Sequence, residues 1–169
     1  MRWTAPMVAR SFAAADATTG VVAATGEEDR RRVGVFRNGE QIVDYRLESN
    51  GGNIAVSPDG RFVLAADGTT AHLLIPPSDQ ALWQIALPDS GYTIRSIAVS
   101  DAGLELIGAQ HESRRNGMVL IADQGGRVVY REDLPLERSN AQIPAVQLGA
   151  GGESALLRSL EELILIDLR

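Results

Sequence analysis

The feature that most constrains this chain is a strand–turn–strand unit that recurs four times. Its clearest copy is residues 54–66, IAVSPDGRFVLAA, where one apolar run enters Ser-Pro-Asp-Gly and a second leaves it. Proline presets one φ, and Asp-Gly tolerates left-handed backbone at the tip, so the segment reads as two antiparallel strands around a tight turn. The unit returns at residues 97–108 (IAVSDAGLELIG) and, more weakly, at 146–157 (VQLGAGGESALL). A further copy at 13–24 (AAADATTGVVAA) has one more residue in the turn. The aligned glycines, Gly20, Gly60, Gly103 and Gly152, stand 40, 43 and 49 residues apart. A period of that size indicates a repeat architecture, in which each unit buries its apolar faces only by stacking on its neighbours.

A second hairpin follows each of the first three copies. Residues 33–36 and 41–47 flank Asn38-Gly39, a strong short-range hairpin signal. Residues 71–75 turn through 76–80 into 81–88, and 118–122 turn through 123–126 into 127–135. Four short strands per period is the composition of a propeller blade. The only stretch with a helical flavour, 153–163, falls inside the repeat, which overrides it. The expectation is therefore an all-β, β-propeller-like domain of four blades, each of four antiparallel strands. The blades are placed at residues 8–47, 53–88, 94–135 and 143–169.

VSPDGRFVLAA (residues 56–66) followed by LWQIALP (residues 82–88) resembles the blades of WD-repeat-like, YVTN-type and PQQ-like β-propellers. Such blades commonly open on a Ser-Pro-Asp-Gly turn and close on an aromatic outer strand. The resemblance covers nearly the whole chain and is best in the second and third units. It implies the fold and says little of function. Neither the Trp-Asp dipeptide of WD repeats nor the Gly-Trp pair of quinone-binding propellers occurs, so no cofactor is expected.

The fourth unit stops after its third strand, residues 163–169. Aligning Trp3 with Trp83 and Tyr130 makes residues 1–7 the missing outer strand, borrowed from the other end of the chain. Closure of this kind removes an open strand edge. Two other arrangements fit the same pattern: an arc of a longer propeller, or two chains joined into an eight-bladed ring.

Composition narrows the chemistry. The chain has no Lys and no Cys, and its two His are His72 and His111. That excludes a Schiff-base Lys, a thiolate nucleophile, a disulfide, Cys-based metal sites and a three-His cage from one chain. A net charge of −6 and eight aromatic residues argue against nucleic acid as a partner. No apolar run reaches the roughly 20 residues of a membrane helix. A soluble protein is expected, either cytoplasmic or exported, as a monomer or as a dimer forming a larger ring.

Strand order then sorts the loops. Those between second and third strands share one face with the connections between blades. On that face the first blade carries Glu27, Glu28, Asp29, Arg30, Arg31 and Arg32, and the third carries His111, Glu112, Arg114 and Arg115 at the equivalent place. Arginine pairs carboxylates bidentately, so one reading is a docking surface for a protein or polar peptide. The other is a pair of solvated loop tips that serve solubility. His111 beside Glu112 could form an acid–base pair or simply be exposed, and His72, among Leu73, Leu74 and Ile75, reads as a packing residue. The acidic trio 27–29 lacks the ligand spacing of a calcium loop, and no metal is expected. The function expected is a non-catalytic scaffold or protein-interaction module. The alternative is a propeller enzyme or a fragment of one, lactonase-like or quinoprotein-like, for which Asp67, His111 and Glu112 are the available contributors.

Overall fold

The computed structural model describes residues 9–26, 29, 31–88, 91–112, 116–135, 145–149, 151–158 and 163–168. These form four antiparallel sheets, each a meander with its strands in chain order. The first holds β1 (Ala9–Ala14), β2 (Val21–Gly26), β3 (Arg32–Arg37) and β4 (Glu40–Arg46). The second holds β5 (Asn53–Val56), β6 (Val63–Ala66), β7 (Thr70–Leu74) and β8 (Ala81–Ala86). The third holds β9 (Tyr92–Val99), β10 (Glu105–His111), β11 (Asn116–Ala122) and β12 (Val128–Pro135). Among the described residues the fourth has three strands, β13 (Ala145–Leu148), β14 (Ser154–Arg158) and β15 (Leu163–Asp167). The expected donation of residues 1–7 to this sheet lies outside the described residues. The architecture is all-β and propeller-like, and the stretch with a helical flavour contains β14.

The turns obey the chemistry read from the sequence. Gly20, Gly60, Gly103 and Gly152 adopt φ of +63°, +72°, +73° and +75°, the left-handed conformation that disfavours any side chain. Asn38 and Gly39, at φ +52° and +90°, form the twisted two-residue turn between β3 and β4. Gly60, Gly103 and Gly152 are also pressed against the preceding sheet. A Cβ on Gly60 would sit 2.9 Å from Val21, one on Gly103 3.1 Å from Phe62, and one on Gly152 2.8 Å from Leu104.

Val21, Phe62 and Leu104 are equivalent residues, as is Ser154. The carbonyl of each accepts the hydrogen bond that closes its turn, from Ala15, Ser57, Ser100 and Gly149 respectively. Counting from that position, alternate residues face the following sheet and the others face the preceding one. Ala23, Leu64, Leu106 and Leu156 thus point forward; Val22, Val63, Glu105 and Ala155 point back.

Because middle strands are covered on both sides, β6 is buried at every residue and β10 at all but Gln110. Three interior joints result. Val21, Ala23, Val33 and Val35 meet Val63, Ala65 and Leu74. Phe62, Leu64, Ala66 and Leu73 meet Ile94, Ile107, Met118 and Leu120. Leu106, Val119 and Ile121 meet Ala155, backed by Val146, Leu148, Ile164 and Ile166. At roughly 1.5–3 kcal/mol per fully buried branched side chain, these joints supply the main cohesive term. Polar links run across them as well: Asp16 N–H to the Pro58 carbonyl at 2.8 Å, Asp59 N–H to Asp101 Oδ1 at 2.8 Å, and Trp83 Nε1–H to the Gln124 carbonyl at 3.1 Å.

Candidate functional site

The turns between second and third strands, and the connections between sheets, lie at one end of the strands, as the meander order requires. Leu47 N–H donates to the Arg31 carbonyl at 2.7 Å, Leu87 N–H to Thr69 at 2.9 Å, and Glu112 N–H to Gly91 at 2.9 Å. In each of the first three sheets this end is therefore laced to the chain leaving or entering it.

Of the ten candidate residues, Asp29, Arg31, Arg32, His111 and Glu112 are described; Glu27, Glu28, Arg30, Arg114 and Arg115 lie outside the described residues. Asp29 faces two guanidinium groups, 3.5 Å from Arg46 and 4.0 Å from Arg31, and its Oδ1 accepts the Arg31 N–H at 3.2 Å. Arg32 grips Asp44 bidentately, both N–O distances being 2.8 Å, and this hydrogen-bonded carboxylate pushes the guanidinium pKa up. Arg31, Arg32, Asp44 and Arg46 are all exposed, so the first loop presents a mixed-charge surface already organised by ion pairs. Exposed pairs of this kind contribute little to stability and remain exchangeable with an incoming partner's charges.

The third loop is shorter than its sequence suggests. Strand β10 extends through His111 and β11 begins at Asn116. His111 is buried rather than exposed, because the strand carries it back over the sheet, where it meets Tyr92 edge-on at 5.1 Å between ring centres. Gly91 makes room for it: a Cβ there would lie 2.2 Å from His111 Nε2. Glu112 is exposed, and its Oε1 accepts the Thr93 hydroxyl at 3.0 Å.

Beneath the same end lies a buried polar network that charge patterning did not reveal. His72 is fully buried, with Nδ1 3.0 Å from the Tyr45 hydroxyl and Nε2 3.4 Å from Asp67 Oδ2. The second contact is within ion-pair range but lacks hydrogen-bond geometry, which leaves Nε2 unsatisfied. Asp67, also buried, accepts Thr70 N–H at 3.1 Å and Ser49 N–H at 3.3 Å, while the Ser49 hydroxyl donates to its carbonyl at 2.6 Å. Burial holds the His72 pKa below its usual value, against the opposing pull of Asp67. The imidazole is therefore neutral near pH 7. The signal available in sequence was the strand period: His72 shares its face with Leu74, which points into the first joint.

A second buried group stands alone. Glu105 is fully buried, and neither carboxylate oxygen has a hydrogen-bond partner. Burial, with Asp123 nearby, pushes its pKa up to about 9, so it carries its proton at neutral pH. Among the described residues no group of three or more His, Asp or Glu is arranged to hold a metal ion. No helix there is long and apolar enough to cross a membrane.

No family model matches the chain, and no curated protein matches it in sequence. Solved structures do. A hydrazine synthase of Kuenenia stuttgartiensis superposes with a TM-score of 0.70 at 15% identity, over 94% of this chain and 50% of that one. The WD40 domain of Toxoplasma gondii coronin gives 0.66 at 10% identity, over 88% and 40%. A Bacteroides caccae protein of unknown function gives 0.56 at 16% identity, over 82% and 55%. The chain thus spans about half the length, or less, of these structures. At such identities the likeness is one of fold: the chain is a propeller module.

Proposed function

We propose that this propeller module is non-catalytic and binds a protein partner through the end of the strands that carries Asp29, Arg31, Arg32 and Glu112, together with Glu27, Glu28, Arg30, His111, Arg114 and Arg115. The observation that carries this reading is the contrast between blades on that end. The second sheet closes it with the short turn 67–69, whose Asp67 is consumed by backbone hydrogen bonds. The first sheet exposes Arg31, Arg32, Arg46 and Asp44 there. Guanidinium groups in surface pairs can exchange one carboxylate for another at little cost, which suits a partner with acidic side chains.

The residues available for the enzyme alternative favour it less. Asp67 spends its oxygens on the backbone N–H groups of Thr70 and Ser49, and His111 is packed on Tyr92. His111 accordingly serves this surface by supporting it from below. The test is replacement of Arg31, Arg114 and Arg115 together by Ala, followed by affinity capture from the source cell. Loss of the captured proteins with an unchanged melting temperature is the expected result. Capture of the same proteins in the same amounts would overturn the assignment of this surface.

A further inference from the structure

We propose that two copies of this chain join end to end, the forward face of the fourth sheet in one copy packing on the backward face of the first sheet in the other, to make a ring of eight blades.

The two faces are the halves of a joint that the chain builds three times internally. On the forward face, Val35, Leu73 and Ile121 are paired in register with Ala23, Leu64 and Leu106, and all three are completely buried by the next sheet. The equivalent of these residues in the fourth sheet is Leu165, paired with Leu156, and it is 71% exposed. On the backward face, Ile54, Ile97 and Val146 each pack against the sheet before them. Their equivalent in the first sheet is Phe12, fixed by its pairing with Ala24, and it is 75% exposed. Half-buried Val22 and exposed Ala14 adjoin it, while Phe36 on the same face is covered from within the chain.

A large aromatic and a leucine are thus presented at the two positions where every interior copy of the same residue is packed. One face needs a following blade and the other a preceding blade, and the chain carries both. A contact of this head-to-tail kind closes when its rotation divides the circle. Two sets of four blades make eight, within the range that propellers adopt.

The test is the solution mass of the 169-residue chain, 18.1 kDa per copy, by light scattering at micromolar concentration. A mass of two copies is expected. Leu165→Arg and Phe12→Arg, both at exposed positions and so harmless to the fold of one copy, should each give a monomer with unchanged circular dichroism. Mixing the two variants should restore part of the dimer, since one of the two joints then lacks any substitution. A monomeric natural chain would overturn the proposal and leave the faces to further blades of a longer polypeptide. A dimer indifferent to either substitution, a mixture that stays monomeric, or a mass above two copies would overturn it as well.

Discussion

The joint between the first and second sheets and the joint between the second and third each bury a titratable side chain, and they treat it in opposite ways. In the first, His72 lies between the Tyr45 hydroxyl and Asp67, whose carboxylate also caps two backbone N–H groups. In the second, Glu105 occupies the place held by Val63 and Ala155 in neighbouring sheets and has no partner for either oxygen. The difference teaches that burial at a joint is set by the repeat, whatever the residue. A polar group that lands there stabilises only where the adjoining turn supplies partners. Otherwise it must stay neutral and weaken the joint.

The largest effect expected from this contrast is at Asp67. Asp67→Ala strips the acceptor from Thr70 and Ser49 N–H and leaves His72 without its carboxylate. It should destabilise by about 3 kcal/mol in a denaturant titration. A loss under about 1 kcal/mol would mean the network is incidental.

Glu105→Leu should move the other way, raising stability by about 2 kcal/mol near pH 7, because an apolar side chain of similar size replaces an unpartnered carboxyl. A destabilised variant would show that Glu105 finds a partner in solution.

The same substitution sharpens the pH dependence. The native state raises the Glu105 pKa from 4.5 to about 9, so between these values the unfolded chain gives up a proton that the native chain keeps. Stability contributed by this group is present below about pH 4.5 and falls as pH rises towards 9. The advantage of Glu105→Leu should therefore widen with rising pH across that window, by at most about 1.4 kcal/mol per unit. His72 acts with the opposite slope. Its lowered native pKa makes the unfolded chain bind the extra proton as pH falls below about 6.5, so its contribution is lost on the acid side. A flat difference between the variant and the natural chain from pH 5 to pH 9 would contradict the Glu105 assignment.

The smallest effect is at the surface. Arg32→Ala removes an exposed surface pair with Asp44 and should leave the melting temperature unchanged.

Much of the fold was legible because the repeat is written in turn chemistry. Gly20, Gly60, Gly103 and Gly152 could be aligned from sequence, and all four occupy the same left-handed position. Buried polar groups were harder. Alternation in a strand normally sends a Glu between two leucines out to water, but a middle blade strand has two buried faces, so Glu105 between Leu104 and Leu106 has no water to reach. The charged residues that follow His111 make it read in sequence as part of a loop, whereas the strand continues through it to reach Tyr92. The pairing of His72 with Tyr45 joins residues 27 positions apart in different sheets, and no local pattern encodes such a contact.

The molecule divides into what repeats, which holds the sheets together, and what does not, which the proposed function leaves for a partner. Affinity capture with matched variants on opposite ends of the strands tests that division most directly. On the hairpin-turn end, Arg61 clamps Asp59 and reaches the Asp101 carbonyl at 2.7 Å. Arg61→Ala should retain every captured protein, while replacing residues 27–31 by a two-residue Asn-Gly turn should abolish capture in a chain that still folds. Loss of capture with Arg61→Ala and full retention with the shortened loop would contradict it.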